Sequence, residues 1–287
     1  MSSPERFDAL SAGLADGVRA TDGLIGLVLL GSASDEASHR RDEWSDHDFF
    51  AIVEAGMGAQ VRPDLGWLPD QDRLVLTARE GEIGFAAVYD DGHVFEFAFS
   101  DVDELAGAVA GEATVVVDDA EGSTARLIER SRARAAAADL FDPVNDTRLV
   151  LVKLLIGVGR VRRGEVLGGG SFIRQWAVQL LVRAIRGRHA EASTSLRDTI
   201  DPMRRFERDF PEWGARIAAA VEQPAEDAAI ALFRLTREIL EPGWDEFPSR
   251  AADAVARRLG WEAHAPKSEA EPELEPEGAR HGVSTGA

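Results

Sequence analysis

The sequence predicts an α+β fold, with a mixed sheet and flanking helices followed by an all-helical bundle. Short apolar segments of strand length, separated by turn residues, fill the first half of the 287-residue chain. From about residue 124, the apolar residues recur at the helical spacing of three and four instead. Because strands come first and helices later, the pattern favours separate α/β and helical parts over one doubly wound sheet.

Composition divides the chain into three predicted parts. Residues 1–135 form an α/β domain, and residues 136–262 form a helical domain. Over 263–287, prolines and glutamates replace the apolar residues and no periodicity remains. A segment of this composition cannot bury enough apolar surface to fold, so we expect a disordered acidic tail.

Turn residues delimit the elements of the first domain. A predicted helix over 4–20 stops at Asp22-Gly23, and the continuous apolar strand that follows over 24–30 implies burial on both faces. Asp91-Gly92 predicts a hairpin turn, and Ser100 with Asp103 predicts a capped helix start. Further strands are predicted over 46–53, 74–78, 85–89, 93–99 and 115–117.

The second domain reads as a series of helices. Gly168 to Gly170 predict a flexible break, after which Ser171 is the predicted cap of the next helix. Helices are predicted over 147–163, 171–186, 193–210, 213–222, 225–240 and 245–259.

The net charge of −19 limits the classes of partner. Nucleic-acid binding depends on neutralising phosphates, so a chain this acidic is a poor candidate for it. An acidic cleft would instead concentrate a small cationic substrate, although the charge could also serve solubility alone. The chain has no cysteine, no leader-like start and no membrane-length apolar run, so we expect a cytoplasmic protein without disulfides or a membrane partner.

Three carboxylates and one turn are the residues that best indicate the function of the protein. Asp46 and Asp48 stand two residues apart in a predicted strand and therefore share a face, and Glu96 is the lone acid in another apolar strand. Adjacent carboxylates repel each other and resist burial unless a cation joins them. Mg²⁺ is typically held by one or two carboxylates plus phosphates. The pattern thus favours a divalent-metal site over a solvated strand edge.

Gly31 and Ser32 end the first strand and open a polar stretch. Backbone N–H groups and a hydroxyl at a helix start form an anion site. An ordinary strand-ending turn is the alternative.

The order of these motifs resembles the nucleotidyltransferase superfamily, which includes polymerase beta. The runs 29–32 and 42–49 are closest to the aminoglycoside adenylyltransferase branch, in which a helical domain also follows the catalytic one. The resemblance covers residues 20–100 by motif and 140–245 by layout only. It implies a nucleotidyltransferase-type sheet.

The resemblance also implies roles for individual residues. Asp46, Asp48 and Glu96 would hold two Mg²⁺ ions, with Mn²⁺ as a substitute, and Glu96 would accept the hydroxyl proton. Gly31 and Ser32 would bind the nucleotide phosphates. The sequence departs from the family at Glu96, which is usually aspartate, and at Ala33, which is often arginine in the closest branch.

Lys153 is one of only two lysines and lies within an apolar helical run. In related enzymes a lysine of the first helix of the second domain meets the triphosphate, which implies a nucleotide-binding role here. A side chain that reaches past its neighbours to water is the alternative. Structural roles are predicted for His47, for Asp101 as a helix cap, for Trp44 in the core, and for the run 204–207.

The resemblance implies transfer of a nucleoside monophosphate from an NTP, with ATP the first choice, to a hydroxyl of a small cationic acceptor such as an aminoglycoside. Pyrophosphate would be released, and the acceptor is expected between the two domains. Two alternatives remain: adenylylation of a protein partner, and a nucleotide-binding module without catalysis.

Overall fold

The protein, a computed structural model, is described over residues 3–137, 141–192 and 201–261. Over these ranges it forms two compact units, one from 3–137 with 201–204 and the other from 141–192 with 205–261. A mixed six-stranded sheet in the first unit and a set of helices in the second confirm the predicted α+β class. The acidic tail predicted over 263–287 lies outside the described residues. Within the described ranges, none of the helices has the length and apolar character needed to cross a membrane.

The first unit is built around one sheet with the strand order β3-β4-β5-β2-β1-β6. Neighbouring strands are antiparallel except β2 and β5, which run parallel. The strands that carry the predicted acids are therefore direct neighbours. The elements are α1 (Ser3–Ala20), β1 (Leu24–Leu30), β2 (His47–Val53), α2 (Gly58–Val61), β3 (Leu74–Glu80), β4 (Gly84–Tyr89), β5 (Val94–Ser100), β6 (Ala113–Val117) and α3 (Ser123–Ala137).

Both faces of the central strands are covered, as the unbroken apolar run of β1 predicts. Leu27 and Leu29 pack in one cluster with Leu10 of α1, whereas Val28 packs with Ile128 of α3 on the other face. A strand that is buried on both faces cannot slip by one residue without misplacing every side chain. The ends of β1 and β2 are thereby fixed in position.

The second unit is helical and surrounds one apolar core. The α4 helix begins at Pro143, earlier than predicted, because the Asp142 carboxylate caps it by accepting the N–H of Asn145 at 3.0 Å. A π-helical segment, Phe172–Ala177, joins α5 to α6. The helices are α4 (Pro143–Arg162), α5 (Val166–Ser171), α6 (Val178–Arg188), α7 (Phe206–Asp209), α8 (Pro211–Val221), α9 (Ala225–Leu240) and α10 (Ser249–Leu259).

Four local predictions are wrong. Gly168 to Gly170 lie inside helix α5 instead of breaking it, and Ser171 ends that helix without capping the next. Residues 201–205 are not helical, and the earlier part of the helix predicted over 193–210 lies outside the described residues. Ser100 ends β5, and the turns after it do not form the predicted helix.

Candidate metal centre

The three predicted acids meet at one end of the β2–β5 pair. The parallel register places Asp48 opposite Glu96, and Asp46 lies two residues before Asp48, so all three side chains reach the same face of the sheet. One carboxylate oxygen from each residue lies within 4.8 Å of the other two. Asp46 and Asp48 are half-buried and Glu96 is exposed. This group is called the acidic cluster below.

The carboxylates of the acidic cluster repel one another when they are ionised. Burial raises the pKa of the Asp48 carboxyl to about 6, with the negative charges of Asp46 and Glu96 acting in the same direction. The positive charge of Arg204 opposes them. Three carboxylates and no nitrogen or sulfur ligand form the donor set that hard cations such as Mg²⁺ and Mn²⁺ prefer. The residues present therefore fit a divalent ion.

Gly31 borders the acidic cluster directly. Its φ of +49° is in the left-handed region, which favours glycine, and a Cβ at this position would lie 3.6 Å from a carboxylate oxygen of Asp48. Its N–H donates to the carbonyl oxygen of Glu112 at 3.1 Å. The Gly31 N–H therefore already has a hydrogen-bond partner. Because glycine has no side chain, a ligand can still come close to the backbone of this residue.

Ser32 lies in a single 3₁₀ turn, Gly31–Ala33, and not at the start of a longer helix. Among the described residues, its hydroxyl has no hydrogen-bond partner, and its carbonyl oxygen accepts the Nε–H of Arg41 at 3.2 Å. The hydroxyl is therefore available to a ligand. The side chain of Ala33, in contrast, is only 2% exposed and belongs to the core.

Lys153 belongs to the second unit, on helix α4. Its Nζ lies 4.7 Å from the ring centroid of Trp176 and 5.3 Å from that of Phe172. Within the described ranges, Lys153 forms no ion pair with a carboxylate. Its contact with nucleotide phosphates stays a prediction.

The sequence predicts a structural role for Arg204 as part of the run 204–207. The structure places Arg204 in the first unit, where its positive charge also acts on Asp48. The next residue, Arg205, has a left-handed φ of +62°, which is uncommon for a residue with a side chain. Trp44 was expected in the core, but its side chain is 85% exposed. The turn that carries it is held by Asp42, whose carboxylate accepts the Trp44 N–H at 2.9 Å.

His47 has the structural role that the sequence suggests, whereas Asp101 holds a turn and not the helix start predicted for it. The ring of His47 is fully buried on the face of β2 opposite the acidic cluster, and burial together with the neighbouring His93 lowers its pKa to about 2, so it is neutral. The Asp101 carboxylate accepts the N–H groups of Gly56, Asp103 and Glu104. Asp101 therefore holds the turns around the end of β5 and does not compete with Glu96 as the third acid.

Comparison with known proteins gives likenesses of overall structure. No family model matches the chain, and no curated protein matches its sequence. Among solved structures, a nucleotidyltransferase-like protein from Exiguobacterium sibiricum has 10% identity and a TM-score of 0.34, with 88% of this chain and 80% of that chain covered. An aminoglycoside 6-adenyltransferase from Bacillus subtilis has 12% identity and a TM-score of 0.27, with 89% and 92% covered.

Proposed function

We propose that the protein is a metal-dependent nucleotidyltransferase. It would transfer a nucleoside monophosphate from an NTP, ATP in the first instance, to a hydroxyl of a small cationic acceptor such as an aminoglycoside. The acidic cluster is the observation that carries this proposal. A parallel strand register and a two-residue spacing bring three carboxylates together where burial and mutual repulsion leave Asp48 in need of positive charge.

In the proposed reaction, Asp46, Asp48 and Glu96 hold two Mg²⁺ ions, or Mn²⁺ in their place. Bound ions of this kind neutralise the triphosphate and favour in-line displacement at phosphorus. The acceptor oxygen forms a bond to the α-phosphorus while the bond from that phosphorus to the bridging oxygen of the leaving pyrophosphate breaks. Glu96, the exposed member of the cluster, accepts the proton of the hydroxyl.

The remaining predicted residues bind the nucleotide. Gly31 lets the backbone come close to the phosphates, and the Ser32 hydroxyl donates a hydrogen bond to them. Lys153 supplies a positive charge to the triphosphate. Its lack of a carboxylate partner within the described ranges supports this role.

The nature of the acceptor rests on charge and on Trp44. A net charge of −19 attracts a cation, and the exposed indole of Trp44, two residues before Asp46, offers a flat face on which a ring with amino groups can stack. A small polycationic acceptor suits this surface better than nucleic acid does.

The proposal is tested by pyrophosphate release from each Mg·NTP with a panel of aminoglycosides and neutral hydroxyl compounds. We expect release with one nucleotide and a cationic acceptor. Glu96→Gln should lower kcat by at least about 100-fold, because loss of a general base typically costs 10²–10⁴ in rate. Glu80→Gln, an exposed acid on β3 outside the cluster, is the matched control and should keep full activity.

Two outcomes would favour the alternatives. Labelling of a protein from nucleotide, with no transfer to any small acceptor, would support a protein-modifying enzyme. Tight Mg·NTP binding without pyrophosphate release under any condition would indicate a non-catalytic nucleotide-binding module. Equal activity of Glu96→Gln and the wild type would contradict the assigned role of Glu96.

A further inference from the structure

A buried hydrogen-bonded chain lies directly behind the acidic cluster. His47 stands between Asp46 and Asp48 in the sequence, and its side chain points to the opposite face of β2, where it is fully buried. Its Nε2 lies 2.8 Å from the Ser11 Oγ of α1, and its Nδ1 lies 2.7 Å from Nε2 of His93, which directly precedes β5. Both ring nitrogens therefore have a partner, one on a helix and one beside the neighbouring strand.

The same ring belongs to a stack that reaches the Gly31–Ala33 turn. Phe7 of α1 lies against His47 with ring centroids 3.7 Å apart and 21° between the planes. The guanidinium of Arg41 lies 4.0 Å from the Phe7 ring centroid on this stack. The Nε–H of Arg41 donates in turn to the carbonyl oxygen of Ser32 at 3.2 Å. One continuous set of contacts thus links Ser32 to the residue between the two aspartates.

Packing alone does not call for histidine at this position. A phenylalanine would fill the same apolar space, whereas a buried imidazole brings two polar atoms that must each find a partner. Here the partners are placed so that the His47–His93 bond ties β2 to β5 beside the pair Asp48 and Glu96. Metal ligands must be held to within about 0.5 Å of their productive positions, and the His47–His93 bond adds a side-chain tie at this level to the backbone pairing of β2 with β5.

We propose that His47 is a positioning residue, which holds the carboxylates of the acidic cluster at metal-binding separation through Ser11, His93 and Phe7. This inference rests on the proposed metal site. In this role the His47 ring stays neutral and acts through its fixed hydrogen bonds to Ser11 and His93. His47 touches neither substrate nor metal.

The test measures Mn²⁺ binding by titration calorimetry, together with the melting temperature, on the full chain without nucleotide. His47→Phe keeps the ring and its stack on Phe7 but removes both hydrogen bonds. We expect it to weaken Mn²⁺ binding by about tenfold or more, the range typical of residues that orient metal ligands. His93→Phe should act in the same direction, because it removes the cross-strand bond.

Tyr89→Phe is the matched control. It removes the hydrogen bond of 2.8 Å from the Tyr89 hydroxyl to the carbonyl oxygen of Pro69 in the same aromatic core, keeps the aromatic ring, and leaves the hydrogen bonds of His47 intact. It should lower the melting temperature and leave Mn²⁺ affinity unchanged. Should His47→Phe fail to fold, Ser11→Ala removes one of the two bonds and is expected to weaken Mn²⁺ binding more than Tyr89→Phe does.

The possible results separate the two proposals. Wild-type affinity for Mn²⁺ in folded His47→Phe and His93→Phe would overturn the positioning role and leave the metal site intact. No Mn²⁺ binding by the wild-type chain would instead overturn the proposed metal site, and the positioning role with it. The variants could also lose Mn²⁺ affinity only in proportion to their loss of melting temperature, with Tyr89→Phe affected as much as His47→Phe. That result would show that His47 is an ordinary core residue and would overturn the positioning role.

Discussion

At the scale of single residues, Asp48 is held where its charge is unfavourable. Burial and the two neighbouring carboxylates raise its pKa from 3.8 to about 6. Strongly perturbed carboxyl groups occur preferentially at functional sites. A cation bound at the proposed metal site would supply the positive charge that Asp48 lacks.

The raised pKa has a consequence for stability. Between pH 3.8, the ordinary value for an aspartate, and about 6, folded Asp48 binds more protons than unfolded Asp48 does. Its contribution to stability is thus complete below this window and is lost as pH rises through it. Asp48→Asn removes the ionisation. We expect the metal-free variant to be more stable than the wild type above pH 6, and the difference to shrink towards pH 4.

Denaturant unfolding at several pH values, with chelator present, measures this effect. Asp103→Asn serves as the control, because Asp103 is exposed and lies outside the acidic cluster. It should show no comparable gain at high pH. An Asp48→Asn variant less stable than the wild type at pH 8 would mean that Asp48 ionises without penalty.

Single residues also show how far the sequence predicts this site. Strand alternation predicts that Asp46 and Asp48 share a face, and the lone acid among phenylalanines singles out Glu96. Arg204 could not be found in this way, since it is far along the chain and local patterns carry no information on such a contact. Trp44 was misplaced because an aromatic residue next to a strand is usually buried, and nothing in its neighbours indicates a projecting turn.

At the scale of elements, the decisive feature is the parallel pairing of β2 with β5. The sequence predicts both strands, and the hairpin between β4 and β5 is confirmed by their antiparallel pairing. Neighbour relations across a long connection do not follow from local patterns, because the intervening β3 and β4 could lie on either side. The proximity of Asp48 to Glu96 is therefore implied by the family resemblance and does not follow from the alternation of side chains along each strand.

The hydrogen bonds predicted at Ser100 are made one residue later, and they close a turn and not a helix. Ser100 ends the strand, while Asp101 accepts the N–H groups of Asp103 and Glu104, and the Glu104 carboxylate accepts the N–H of Asp101 at 2.9 Å. This reciprocal pattern is that of a capping box, although no helix follows it among the described residues. Serine and aspartate cap equally well, so composition alone could not choose between them.

The packing of helix α5 against α4 gives a prediction at the scale of elements. The glycines of α5 allow close packing, because a Cβ at Gly169 would lie 2.7 Å from the carbonyl oxygen of Gly157 and 2.6 Å from Val161 Cγ2. We expect Gly169→Ala to destabilise the protein by about 1–3 kcal/mol through overpacking. Chemical denaturation measures the loss.

The adjacent glycine is the control for this substitution. At Gly168 the nearest atom to an added Cβ is the flexible end of Arg160, at 3.4 Å. Gly168→Ala should therefore stabilise the helix by about 0.5–1 kcal/mol, the gain of alanine over glycine in a helix. Equal effects at the two positions would show that helix packing does not depend on Gly169, and would favour the flexible break predicted from the sequence.

At the scale of the whole molecule, the net charge and the arrangement of the chain both favour the binding of a cation. The net charge of −19 disfavours nucleic acid and favours a cation. The sheet of the first unit supplies the acidic cluster, and residues 201–204 add Arg204 to that unit from a distant part of the sequence. A nucleotide would bring its own negative charge, so in the proposed function it binds together with metal.

The most direct measurement is a thermal-shift titration with each Mg·NTP, on the wild type, Asp48→Asn and the control Asp103→Asn. A ligand that binds only the folded state stabilises it by about 2.7 kcal/mol at one hundred times its dissociation constant. We expect a magnesium-dependent rise in melting temperature with one nucleotide, kept in Asp103→Asn and lost in Asp48→Asn. An equal rise in Asp48→Asn, or no rise with any nucleotide in the wild type, would contradict a metal-nucleotide site at the acidic cluster.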